Sequence, residues 1–135
     1  MPHPRTERNE YACRLDLDPG DRPDGDTVRL RITFFDDREA RYEVVRKIRL
    51  VAGAGQGLDA PERKGRTLPA GNEARDYLLC LFEDYGRYGL ICRIFGLDKY
   101  GRLKTQIVGE DDEGIELDFG ERLVTTGHAI YEDYE

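Results

Sequence analysis

Val28, Leu30, Ile32 and Phe34 alternate strictly with Arg29, Arg31 and Thr33. A period of two puts the apolar side chains on one face of an extended chain and the polar ones on the other. The pattern predicts a strand with one face in a core and one in water, as in antiparallel sheets. Asp36-Asp37 turns the chain, and Tyr42, Val44, Ile48 and Leu50 then share a face of a further strand, with Arg46 in the row between them. A first strand is expected over Tyr11 to Leu17, ahead of a turn dense in Asp, Gly and Pro from Asp18 to Gly25.

The period changes downstream. Ala74, Tyr77, Leu78, Leu81 and Phe82 recur at i, i+3, i+4, i+7 and i+8, which predicts an amphipathic helix. Asn72 is the expected N-cap, Glu62 to Gly71 a polar surface loop, and Tyr85-Gly86 the end of the helix. Tyr88, Leu90, Cys92 and Ile94 form a fourth strand, and Leu103 to Val108 a fifth, after a tight turn at Tyr100-Gly101. Glu110 to Gly114 is an acidic turn. Asp118 and Glu121 resemble a capping box ahead of a short helix through Phe119, Leu123 and Val124, with Gly127 at its C-terminal cap.

Three strands, a helix, two strands and a short helix make a β-rich α+β chain. The expected architecture is a five-stranded Greek-key barrel of the OB type, with one amphipathic helix between strands 3 and 4 and a short C-terminal helix. The 135 residues read as one domain with a real core, 11–135, behind a polar N-terminal arm, 1–10. No apolar run reaches the length of a membrane span, and no apolar leader follows Met1. The expected location is therefore cytoplasmic or within an assembly. Cys13, Cys80 and Cys92 lie in apolar runs with no C-x-x-C spacing, so they are expected to be buried thiols. His3 and His128 are too few for a His-based zinc site, and His128 is expected to pack or face solvent.

Three short motifs follow one another: Asp24-Gly25-Asp26-Thr27, Leu58-Asp59-Ala60-Pro61-Glu62 and Asp98-Lys99-Tyr100-Gly101-Arg102. Together they supply carboxylates and an arginine, the equipment for holding a hard cation, activating a water and neutralising a phosphate. In this order, with Gly71-Asn72-Glu73-Ala74 and Leu123-Val124-Thr125-Thr126-Gly127-His128-Ala129, they resemble the staphylococcal (thermo)nuclease family. The resemblance implies a calcium-dependent nuclease that hydrolyses phosphodiester bonds of DNA or RNA. It implies calcium ligands at Asp26, Asp59 and the carbonyl of Ala60. It makes Glu62 the base that activates water and Arg102 a phosphate clamp, with Lys99 and Tyr100 on a neighbouring phosphate. Tyr131 or Tyr134 would stack on a base of a single-stranded or flexible substrate.

The second arginine of the family stands five residues before the metal Asp, where this chain has Ala54; the nearest Arg-Leu is Arg49-Leu50. Between lies Ala52-Gly53-Ala54-Gly55-Gln56-Gly57, which lacks the spacing of a phosphate-binding glycine loop. If this insert bulges out, Arg49 stays in its strand and serves the site. If the strand register slips through it, the clamp is lost. A glycine-rich insert suits a bulge, so the bulge is the expectation.

Net charge is −7. Non-specific nucleic-acid binders are usually basic, because counterion release drives their affinity. The acidic balance and the insert favour a second reading: a non-catalytic nuclease-like module with protein partners in an assembly, such as a virion or multi-subunit complex. A third is an OB-like single-strand binder without cleavage.

Overall fold

A computed structural model describes residues 10–16, 24–35, 38–86 and 89–133. The expectations for the 1–9 arm, the 17–23 turn, Asp36-Asp37, Tyr88 and Tyr134 lie outside them. The strands are β1 (Glu10–Leu15), β2 (Thr27–Phe35), β3 (Arg41–Ala52), β4 (Gln56–Asp59), β5 (Leu90–Leu97), β6 (Leu103–Glu110), β7 (Glu116–Asp118) and β8 (Ile130–Tyr131). The helices are α1 (Leu68–Gly86) and α2 (Phe119–Thr125). The chain is thus β-rich α+β, and no helix among the described residues is long and apolar enough to cross a membrane.

Five strands close into a ring. β1 pairs antiparallel with β2 and β5, β2 with β3, and β5 with β6. β6 returns to β3 through a parallel pairing that sets Ile48 opposite Leu103 and Leu50 opposite Thr105. The alternation read in the sequence fills this ring: Val28, Leu30, Ile32, Ile48, Leu50, Cys92 and Ile107 are essentially sealed from water. α1 adds Ala74, Leu78, Leu81 and Phe82 to the same core. Phe119 of α2 is fully buried and meets Phe82 edge-on, ring centres 5.2 Å apart. Asp118 caps α2 by accepting from the Glu121 N–H. At its other end Gly127, at φ 83°, follows the cap, and the His128 and Gly127 amides return to the Leu123 and Val124 carbonyls. That is a Schellman closure, with glycine where a left-handed residue is needed.

Several expectations need correcting. The sheet has eight strands, because β4, β7 and β8 are too short to show a period, and α1 lies between β4 and β5. α1 starts at Leu68, so Asn72 is inside it rather than capping it. Pro69 is tolerated there because the first turn leaves amides without helical partners, and Asn72 instead accepts a hydrogen bond from Arg63 Nε at 2.9 Å. Glu10 belongs to β1, where it pairs with Arg93. Tyr42 and Val44 are exposed: β6 covers β3 only from Ile48 onward, so the first half of β3 runs past the ring. Cys80 is exposed as well, on the outer side of α1, while Cys13 and Cys92 are buried. Burial and the neighbouring thiol push Cys13 well above the ordinary range, the hydrogen bond with Cys92 being the largest cause.

Candidate functional site

The glycine-rich insert neither bulges nor shifts the register. It closes a hairpin. Gly53 and Gly55 take positive φ (52° and 104°), the Gly55 amide returns to the Ala52 carbonyl, and β4 runs back along β3 with Val51 opposite Gly57. Continuing that register sets Asp59 opposite Arg49. Arg49 Nη2 donates to the Leu58 carbonyl at 3.0 Å and lies 3.4 Å from Asp59 Oδ1 and 3.2 Å from Asp26 Oδ2. The spacing that looked five residues wrong is absorbed by the turn.

Asp26 is the buried centre of this arrangement, with 4% of its surface exposed. Its Oδ1 accepts from the Thr27 hydroxyl and its Oδ2 from the Ala60 amide. Thr27 Oγ1 in turn accepts from Arg102 Nη1 at 3.4 Å. A continuous chain of contacts therefore runs from Arg102 through Thr27, Asp26 and Arg49 to Asp59. Arg102 is itself held by Asp98, whose Oδ2 accepts from Nε at 2.7 Å and whose Oδ1 accepts the Tyr100 and Arg102 amides. Burial works to raise the Asp98 carboxyl, but those donated hydrogen bonds and the guanidinium outweigh it and hold it below the usual range. Tyr100 is 71% exposed and lies between Lys99 and Arg102, each 5.3 Å from its ring centre.

Small residues bring the first two motif segments to one end of α1. A Cβ on Gly25 would stand 2.6 Å from the Ala74 Cβ and 3.0 Å from that of Ala60. A Cβ on Gly71 would stand 2.6 Å from the Glu62 carbonyl oxygen and 2.9 Å from that of Pro61. Gly71 therefore lets the helix press against the backbone that carries Glu62. Gly71→Ala is expected to cost about 1–3 kcal/mol, the scale of overpacking, and to shift that backbone. The midpoint of denaturant unfolding measures it, and an unchanged midpoint would show that the loop yields freely.

The cleft that results is lined by Asp24, Asp26, Asp59, Glu62, Lys47 and Arg102, among others, with Arg49 at its base. Glu62 stands at the rim, its side chain 70% exposed and 3.3 Å from Lys64. An adjoining hollow is lined by Arg49, Lys99, Tyr100, Arg102, Glu132 and Asp133. Among the described residues, the structure thus brings together all but one of those singled out in the sequence. Tyr131 is the exception: β8 sets it opposite Leu58, outside the lining of the cleft and the hollow, and the charges of Glu121 and Asp118 act on it. Burial, then those two acids, raise its hydroxyl.

Five participants were not singled out. Asp24 and Asp98 stand in the motifs but read as turn residues. Lys47 shares a strand face with Arg49, a signal that period two carries. Glu132 and Asp133 had no sequence signal, because the short β8 that positions them does not show a period.

Charge crowding is legible in the carboxyls. Burial raises Asp24, helped by Asp26 and opposed by Arg63. Burial likewise raises Asp59, with Asp26 and Glu132 adding and Arg49 opposing. A carboxyl raised in the fold relative to the unfolded chain destabilises the fold as it ionises, so this penalty sets in as pH climbs above 3.8 and is absent at lower pH. Asp59→Asn is expected to unfold at a higher temperature than wild type in chelator, with a gap that opens as pH climbs above 3.8 and is flat once Asp59 is ionised in the fold as well. Thermal melts across that range check it; a variant less stable at neutral pH would mean that the Arg49 pair outweighs the crowding.

The donors here are carboxylate and carbonyl oxygens, which suit a hard cation such as calcium. Asp26 and Asp59 both face one point, and in this structure the point is taken by Arg49 Nη2. Among the described residues, no group of three or more His, Cys, Asp or Glu side chains converges closely enough to hold a metal. The oxygens therefore fit a cation in kind, provided Arg49 gives way. Compared with models of known protein families, with curated proteins and with solved structures, the chain matches none.

Proposed function

We propose that this chain is a calcium-dependent nuclease of the thermonuclease type, cutting phosphodiester bonds of DNA or RNA. The observation that carries this reading is the single contact chain joining Asp59, Arg49, Asp26, Thr27 and Arg102, with Glu62 on the rim of the same cleft. The ring order, with a meander of three strands and a parallel closure between β3 and β6, supports reading the fold as a Greek-key barrel of the OB type.

Asp26, Asp59 and the Ala60 carbonyl would hold calcium, which when bound supplies positive charge beside the scissile phosphate. Glu62 takes the proton of the attacking water. Arg102, pre-oriented by Asp98, presents a fixed planar donor set to the phosphate oxygens as charge builds on them. Arg49 leaves the two carboxylates for a second phosphate oxygen, keeping its bond to the Leu58 carbonyl as a hinge. Lys99 and Tyr100 extend the contact to a neighbouring phosphate and base.

The test is cleavage of single-stranded DNA and RNA by purified protein with calcium, against a chelator control. Cleavage that needs calcium supports the reading; strand binding without cleavage at any calcium level replaces it with the single-strand binder.

A second reading rests on the same contacts. Because Arg49 already bridges Asp26 and Asp59 internally, the two carboxylates are held together without a cation, as a non-catalytic module with protein partners in an assembly would require. Absence of both calcium binding and cleavage would favour it.

A further inference from the structure

We propose that the outer face of β1–β2–β3 is a track for the backbone of a single-stranded nucleic acid, leading out of the cleft. Strand parity puts Arg14 of β1, Arg29 and Arg31 of β2, and Lys47 and Arg41 of β3 on this face. Three carboxylates among the described residues share it, Glu10, Asp16 and Glu43, and Glu10 is paired with Arg93 of β5. Five cations against three acids leave an excess of two positive charges on a chain whose total is −7. The acidic balance that counts against a nucleic-acid partner is therefore an average over a segregated surface.

The arrangement is continuous with the site. Lys47 lines the cleft beside Asp24 and Asp26, and the β2–β3 register sets Arg29 directly opposite Lys47. Arg14 stands directly opposite Arg31. Like charges in directly opposed positions destabilise a sheet, so two such pairs on one face are a cost that an anion lying across them removes. Arg31 reaches Asp16 at 2.8 Å and Glu43 at 3.6 Å, while Arg14 and Arg41 also converge on Glu43 at 3.5 and 3.3 Å. Three guanidinium groups around one exposed carboxylate stay net positive. Same-face residues on a strand recur about every 6.8 Å, a repeat that an extended sugar–phosphate chain can follow. At the cleft end Tyr100 offers an exposed ring for a base, which a paired duplex could not use.

The track goes beyond the nuclease reading and rests on it only for the direction of the strand, since binding is measured without cleavage. Fluorescence anisotropy in chelator compares wild type with Arg14→Gln/Arg29→Gln on a mixed-sequence single strand of about 20 nucleotides, longer than one OB-sized site, and on a trinucleotide. Two lost contacts at about 0.7 each make the log-affinity against log-salt slope shallower by about 1.4, or about 25-fold weaker binding at 0.1 M salt when extrapolated from 1 M. Trinucleotide binding is expected to stay unchanged, and Arg14→Lys/Arg29→Lys is expected to restore most of the loss, which separates charge from folding. A long strand bound equally by wild type and the Gln variant overturns the track, as does a wild type that binds the long strand no tighter than the trinucleotide. Calcium-dependent cleavage that persists in either case leaves the nuclease reading standing without the track.

Discussion

Glu62→Gln is expected to lower the rate of calcium-dependent cleavage by about 10²–10⁴-fold, the usual contribution of a positioned general base. The substitution keeps the size and hydrogen-bonding shape of the side chain and removes its ability to take a proton. Because the carboxylate is 70% exposed and pairs with the exposed Lys64, folding is expected to be untouched. Initial rates on single-stranded DNA at saturating calcium, with matched melting curves, measure the effect. A variant cutting within about fivefold of wild type would remove Glu62 from the chemistry and leave only its rim position. A parallel loss in Arg102→Ala, of about 10²–10³-fold, is the scale of one missing preorganised donor.

The largest stability effect is expected at Asp26. Removing one partner of a buried ion pair strands the other, at about 3–5 kcal/mol. Asp26→Ala leaves Arg49, whose side chain is only 16% exposed, with the more peripheral Asp59 and the Leu58 carbonyl, and it also orphans the Ala60 amide. Equilibrium urea unfolding reads the loss. The double variant Asp26→Ala/Arg49→Met is expected to recover a large part of it, because a buried charge pair replaced by apolar side chains is often neutral. No recovery would place the cost in the Ala60 and Thr27 hydrogen bonds. Either result separates what Asp26 does for the fold from what it would do for a cation.

Much of the fold was legible because its signals are periodic. Val28 to Phe34 and Ala74 to Phe82 follow their strand and helix periods, and the buried residues are those the periods select. β4, β7 and β8 were not legible, being four, three and two residues long, and a period cannot be read from so few positions. The start of α1 was misplaced because Asn72 is a good capping residue in isolation, whereas the helix begins earlier and Gly71 packs against the backbone of Glu62. At the site, motifs nominated side chains, but the geometry came from pairing. Arg49 looked out of place by spacing alone, and only the hairpin register sets it opposite Asp59. Tyr131 looked well placed by its position near the end of the chain, and β8 sets it opposite Leu58, outside the lining of the cleft and the adjoining hollow.

The parallel closure of β6 on β3 has a consequence for when the site exists at all. Arg102 immediately precedes β6, and it reaches Thr27 only once Leu103 is laid beside Ile48, a partner far away in sequence. Contacts of that range form late, since the loop they close must be ordered first. Asp26, Arg49 and Asp59, by contrast, meet through two adjacent hairpins. A nascent or partly opened chain would therefore hold the acidic half of the cleft without its phosphate clamp. Assembly of the complete site and cooperative closure of the ring are one event, so hydrogen exchange at the amides that join β3 to β6 should report on both.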